Sequence, residues 1–187
     1  MKITNVEAIP LKVGTLLVRV FTDDGIVGLG ETSGRFAPVV KPFIEDVLKP
    51  LIIGKDPRRT HRLWEEMFSQ TSRLGPMGMQ TTGIGSIDIA CWDILGQSLG
   101  EPVHEVLGGA ARTDIKLYWS SGKGGNLHPE EMLAKVQQGY NLGFKAFKIR
   151  MDWTASRQDA DPNKDFDMFR LCREFLPQDI PLSFDAN

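Results

Sequence analysis

Phe144-Lys145-Ala146-Phe147-Lys148-Ile149-Arg150-Met151 reads as a strand, and the segments on either side of it decide the fold. Side chains along a strand alternate between its two faces. Phe147, Ile149 and Met151 share a face suited to packing beneath helices, while Phe144, Ala146, Lys148 and Arg150 share the other. Upstream, Ile115 to Trp119 reads as a strand and Ser120 to His128 as a glycine-rich loop. Pro129 to Tyr140 follows as a helix with Met132, Val136 and Tyr140 on one stripe. Downstream, Asn163 to Phe175 reads as a helix presenting Phe166, Phe169 and Leu176, and Ile180 to Asp185 as a last strand. The order β-α-β-α-β belongs to parallel strands joined by crossover helices. Three strands and two helices make about three-eighths of a (β/α)8 barrel. The alternative, a doubly wound sheet of three strands, is thin and leaves its edges exposed.

The chain before Gly108-Gly109 has a different character. Its first thirty residues predict a strand meander, with Leu16 to Phe21 the clearest strand and Asp23-Asp24-Gly25 a hairpin signal before Ile26 to Glu31. Helical spacing then takes over: Phe43, Val47, Leu48 and Leu51 after Pro42; Leu63, Trp64, Met67 and Phe68 after Asp56-Pro57; and Ile84, Ile87, Cys91, Ile94 and Leu95 after a glycine-rich break. The expected organisation is an α+β domain over 1–111 followed over 112–187 by the first strands and helices of an incomplete α/β barrel.

Composition excludes several classes. The 187 residues carry 22 Lys and Arg against 24 Asp and Glu, a formal charge of −2, so no basic field supports nucleic-acid binding. Hydrophobic residues are 41% and charged residues 25%, which fits a globular chain rather than a disordered one. No apolar run is long enough to span a membrane, and Met1 to Asn5 begins no signal-peptide core. Cys91 and Cys172 form neither a disulfide framework nor a zinc motif, and a reduced, cytoplasmic location follows.

Lys148 and Arg150 are the residues with most chemical promise. Two cations on the inner face of a parallel strand are costly to bury without anionic partners. At the C-terminal end of a barrel strand they occupy the place where active sites form. The functional reading is a substrate-carboxylate clamp and a base; the plainer reading is two solvated cations on an edge strand. Asp185 and Asn187 share one face of the last strand. A carboxylate there suits Mg²⁺, a hard cation that takes oxygen ligands, although an aspartate at a strand end also serves as a turn or helix cap. Ser121 to Gly125 lacks the spacing of a phosphate loop, and Gly28-Leu29-Gly30-Glu31 lacks the third glycine of a dinucleotide site and reads as a β-turn corner. A small nucleotide binder is therefore unsupported. Asp88 and Asp93 do not share a helical face and read as caps or ion-pair partners; the three histidines are scattered singly.

Ser86-Ile87-Asp88-Ile89-Ala90-Cys91-Trp92-Asp93-Ile94-Leu95-Gly96-Gln97, then Pro102-Val103 and Leu107-Gly108-Gly109, resembles the signature helix of the enolase superfamily, mandelate racemase/muconate lactonizing enzyme type. Gly25 to Glu31 is similar to the family's capping-domain hairpin, and Gly54 to Pro57 to its helix connection. The resemblance implies an N-terminal α+β capping domain over a modified (β/α)8 barrel. It implies Mg²⁺-dependent removal of the proton α to a carboxylate, through an enediolate, on a small hydroxy-acid or sugar-acid substrate. It maps the family's Lys-x-Lys motif onto Lys148-Ile149-Arg150 as catalytic positions, the first metal ligand onto Asp185, and a substrate-contacting asparagine onto Asn187. Arg35, in a capping-domain loop, is a further substrate-contact candidate.

Arg150 departs from the motif, because a guanidinium is charged at any ordinary pH and is a poor general base. That favours an acid-sugar dehydratase, in which one base suffices, over a racemase, epimerase or cycloisomerase. The family's later acidic ligands and second catalyst are absent from these residues. The expectation is that residues 1–187 alone are inactive, as the N-terminal portion of a longer enzyme that forms a homo-oligomer. A reading from another class is a non-catalytic binding or assembly module.

Overall fold

The computed structural model describes residues 1–75, 77–122, 128–150 and 161–185. The chain divides into two compact units, Met1–Ala111 and Arg112–Asn187.

In the first unit, β1 (Ile3–Pro10), β2 (Thr15–Thr22) and β3 (Val27–Ser33) form an antiparallel meander. Register pairs Ala8 with Val18 and Val18 with Gly30, so Val6, Ala8, Leu16, Val18 and Val20 share the buried face. Helices α1 (Ala37–Pro42) and α2 (Lys49–Ile52) are joined by a π-helical stretch, Phe43–Leu48, in which the Lys49 N–H donates to the Ile44 carbonyl five residues back. Pro42 and Pro50 each lack a donor, and the wider turn between them lets the chain continue past both rings. The sequence pattern started this helix at Pro42; it starts at Ala37.

α3 (Thr60–Thr71) buries Leu63 and Met67, with Trp64 stacked on Phe68 at 4.9 Å. It begins later than the Asp56-Pro57 signal suggested. Asp56 accepts instead from the Arg58 backbone N–H and guanidinium, whose hydrogen bonds hold its carboxyl down to about 2 against the opposing effect of burial. α4 (Met79–Leu99) buries Ile84, Ile87, Ala90, Cys91 and Ile94 against the sheet, and the short α5 (Val103–Val106) follows.

Gly28 and Gly30 are strand residues facing α4, not a turn corner. A Cβ on Gly30 would sit 1.8 Å from the Ser86 carbonyl oxygen, and one on Gly28 would sit 2.1 Å from that of Ala90. Backbone lies directly on backbone there, which only glycine permits. Side chains then close both edges of the sheet. Asp93 accepts from the Leu29 N–H at 2.8 Å, and Gln97 donates to the Val27 carbonyl at 3.0 Å. On the β1 side Glu45 accepts from the Ala8 N–H and Lys41 donates to the Ala8 carbonyl. Charged groups on edge backbone discourage further strand pairing.

The second unit is a parallel sheet, β4 (Trp119–Ser121), β5 (Phe147–Arg150) and β6 (Leu182–Asp185), connected by α6 (Pro129–Asn141) and α7 (Pro162–Phe175). Spatial order equals chain order. Phe147 and Ile149 are buried with Met132 and Val136 of α6 and Met168 and Cys172 of α7, so both helices cover the same face. Gly139 lets the Trp119 ring lie against α6, since a Cβ there would come within 2.4 Å of the indole. α6 is capped by His128 and Glu131, which exchange hydrogen bonds with each other's backbone.

Two expectations shift. The first parallel strand starts at Trp119 rather than Ile115, and Ile115 and Leu117 are 76% and 71% exposed. A strand needs a ladder partner, and pairing with β5 begins only at Trp119 opposite Phe147. Phe166 is exposed, whereas Phe169 and Leu176 pack as expected, joined by Met168 and Cys172.

Two measurements check this packing. Gly30→Ala is expected to cost about 3 kcal/mol or more in urea unfolding, because the new methyl meets helix backbone that cannot move cheaply. Burial pushes the Cys91 thiol up to about 12 and Cys172 up to about 11. Both are expected to resist thiol reagents at pH 8 until the chain is unfolded.

Candidate active site

The parallel register sorts the side chains of the second unit. Ser120, Lys148 and Ser183 are aligned across the three strands, and Arg150 is aligned with Asp185. Paired residues in a parallel sheet project to the same side, so these five share the face opposite α6 and α7. On β5 the alternation is complete: Phe147 and Ile149 are buried, while Lys148 and Arg150 are half-buried.

Lys148 Nζ donates to Asp185 Oδ2 at 2.9 Å, across the gap between β5 and β6. The two side chains retain 28% and 31% of their exposure, so water and solutes still reach them. The Lys148 ammonium also lies 5.9 Å from the centre of the Tyr118 ring. By alternation Tyr118 precedes Ser120 on this polar side. Sequence reading passed over Tyr118, Ser120 and Ser183. The signal for the two serines is their alignment with Lys148, which is invisible before the register is known.

Thus the structure brings together Lys148, Arg150 and Asp185, three of the five candidate residues. Arg35 belongs to the first unit, exposed in the turn after β3, with its guanidinium 5.7 Å from the Phe36 ring centre. Asn187 lies outside the described residues. Asp88 and Asp93 stay structural. Asp93 ties α4 to β3, and Asp88 is half-buried, its pKa raised by burial against a bond from Trp92. His128 is a helix cap.

Mg²⁺ takes one or two carboxylates with water and substrate oxygens completing its octahedron. Asp185, at the C-terminal end of β6 with a half-exposed carboxylate, fits one such position. Among the described residues no cluster of three metal-ligating side chains is present. Among the described strand residues this face brings together two cations, Lys148 and Arg150, and one carboxylate, Asp185.

Comparison with known proteins places these features. Residues 9–108 match the mandelate racemase/muconate lactonizing enzyme N-terminal domain. The arabinonate dehydratase of Saccharolobus solfataricus is 30% identical over 168 residues, covering 89% of this chain and 43% of that protein. The D-galactonate dehydratase of Pectobacterium atrosepticum is 38% identical over 153 residues, covering 80% of this chain and 38% of that protein. The chain therefore spans less than half the length of these curated relatives. A crystal structure of a mandelate racemase/muconate lactonizing protein from Paracoccus denitrificans, complexed with magnesium, aligns with a TM-score of 0.92 at 32% identity. The alignment covers 100% of this chain and 52% of that one.

If the polar face serves chemistry and the apolar face serves folding, substitutions will separate them. Lys148→Ala and Asp185→Asn are each expected to change unfolding free energy by under about 1 kcal/mol, as for a part-exposed ion pair. Phe147→Ala, one residue away, is expected to cost about 3–5 kcal/mol. Urea titrations of the three variants would reveal the contrast.

Proposed function

The chain belongs to the mandelate racemase/muconate lactonizing enzyme family of the enolase superfamily, and on that premise we propose that it forms the capping domain and first barrel segment of a Mg²⁺-dependent acid-sugar dehydratase. The observation that carries the reading is the polar face on which Lys148 meets Asp185 and Arg150 aligns beside it. The dehydratase relatives point to the same class of reaction. Three parallel strands in chain order, with both helices on one face, support an arc of a (β/α)8 barrel; a doubly wound sheet would reverse its order and cover both faces. The polar face is then the barrel interior. The two free thiols suit a cytoplasmic enzyme.

The reaction removes the proton on the carbon α to the substrate carboxylate. The β-hydroxyl leaves as water, and the enol that remains becomes a 2-keto acid. Arg150 cannot take the proton, because a guanidinium keeps its charge at working pH. Its planar fork binds a carboxylate through two parallel N–H bonds and holds the substrate in position. Lys148 adds a second donor to the charge that develops on the carboxylate oxygens. Asp185 would supply one oxygen to Mg²⁺. When bound there, a divalent cation neutralises the same developing charge. Asn187 and Arg35 are further substrate contacts in this reading. The proton-accepting base and further metal ligands are assigned to parts of the enzyme beyond these residues, so residues 1–187 alone are expected to show no turnover.

The test is to assay the product of the complete reading frame with Mg²⁺ against a panel of sugar acids, detecting 2-keto product. Loss of product by at least about 10³-fold is expected in Asp185→Asn and in Lys148→Ala, given the electrostatic role assigned to both. Exchange of the α-proton with solvent deuterium, without keto product, would replace the dehydratase by a racemase or epimerase. Neither product nor exchange would leave a non-catalytic binding or assembly module.

A further inference from the structure

The aromatic ring beside Lys148 carries an inference about how that lysine is held. It deepens the proposed substrate-binding role of Lys148 and rests on it. We infer that Tyr118 is the positioning residue of Lys148: its ring, reaching in from the β4 side, fixes where the ammonium stands on the polar face and so where it meets the substrate carboxylate.

A lysine at such a place is hard to hold. Its ammonium rides on a flexible stem, and one ion pair that still touches water restrains that stem weakly. Asp185, on β6, accepts from Nζ at 2.9 Å, and both side chains stay partly exposed. That contact holds Lys148 from one side. On β4 the residue aligned with Lys148 is Ser120, and on β6 it is Ser183; both side chains are too short to lie along a lysine stem. Tyr118 is long enough. It stands two residues before Ser120, and alternation carries it to the same side of the sheet. Its ring centre is 5.9 Å from Nζ, within the range over which an ammonium is attracted to an aromatic face. Two attractions from opposite neighbouring strands thus meet on one charged group. Tyrosine has only two rotatable bonds before its ring, so it orders a partner at small cost in its own freedom. A ring serving the core would be buried, as Phe147 is; Tyr118 is exposed, and its placement is accounted for by the lysine it faces.

Side-chain NMR relaxation reads the hold directly, because the ε-methylene of a free lysine moves on the picosecond to nanosecond timescale. In the 187-residue chain the Lys148 ε-methylene, assigned by its loss in Lys148→Arg, is expected to be ordered. Tyr118→Leu is expected to release it, and Tyr118→Phe, which keeps the ring, to leave it held. Circular dichroism melts establish that each variant is folded, and Tyr118→Thr replaces the leucine variant if that one is not. In the product of the complete reading frame, Tyr118→Leu is expected to lower kcat on the sugar acid about tenfold with little change in KM. The split follows because Lys148 acts on charge that develops after binding. Tyr118→Phe is expected to stay near wild type. An ε-methylene that is mobile in the wild type, or as ordered in Tyr118→Leu as in the wild type, would overturn the inference, since Asp185 would be the only restraint or none would exist. A released ε-methylene with unchanged kcat would also overturn it, leaving a contact without a role in the reaction. Absence of turnover in the wild-type enzyme would overturn the dehydratase reading instead, and the order of the ε-methylene alone would then decide whether Tyr118 holds Lys148.

Discussion

The pleat of β5 is the constraint on which the polar face depends. Phe147 and Ile149 are the buried anchors of the second unit, packed beneath α6 and α7. With those two fixed, the residues between and after them have no choice of side. Lys148 and Arg150 must project away from the helices, and a slip of one residue would bury both charges. The hydrophobic effect therefore positions the cations, although it acts on their neighbours. The parallel ladder then brings Asp185 to the same side by its alignment with Arg150. A polar constellation drawn from two strands is thus oriented by the apolar contacts of its neighbours in the chain.

The first unit solves a different problem by close approach. β3 gives up side chains at Gly28 and Gly30 so that the backbone of α4 can lie on it. The side chains lost there are offset elsewhere on α4. Ile84, Ile87, Ala90, Cys91 and Ile94 join the same buried core as the strand residues Val6, Leu16, Val18 and Val20, and Asp93 and Gln97 reach the outer edge of β3. One helix thus supplies both core and edge closure. This explains why its sequence reads as apolar around much of its circumference, with acids at positions that share no face. Asp93 is spent on a strand amide rather than on chemistry.

Local patterns carried much of this into the sequence. The alternation of β5, the Asp-Gly hairpin and the stripe of α6 each depend on residues close together in the chain; the hairpin and α6 stand where their patterns placed them, whereas β5 keeps its alternation but begins at Phe147 rather than Phe144, and Met151 lies outside the described residues. What sequence could not carry was pairwise. Gly28 and Gly30 looked like a turn because the same residue type serves tight turns and close packing; only the position of Ser86 and Ala90 separates the two uses. Ile115 and Leu117 alternate as a strand should, yet they lack a partner in the ladder and stay exposed. Phe166 lost its place on α7 to Met168 and Cys172 by about one residue of helical phase. Lys148 and Asp185 were each legible as candidates, one by its strand and one by its position at a strand end. Their contact was not, because 37 residues of chain separate them.

The arrangement also gives a physical meaning to arginine at position 150. On a half-buried face a lysine is adaptable: its stem is flexible, and burial readily shifts its proton affinity. Arginine is neither. Its charge is permanent, and its donors come in a rigid fork matched to a carboxylate. With Lys148 drawn to Asp185 on the adjacent strand, a second lysine would put another movable charge beside the same acid. An arginine places a fixed positive charge two residues along, aligned with Asp185 in the ladder, where it cannot become a proton acceptor. The two cations therefore cannot exchange roles. One adjusts to the charge around it, and the other holds a constant field for an anion. In the proposed dehydratase the base would come from outside this strand, and β5 would bind and orient the substrate carboxylate.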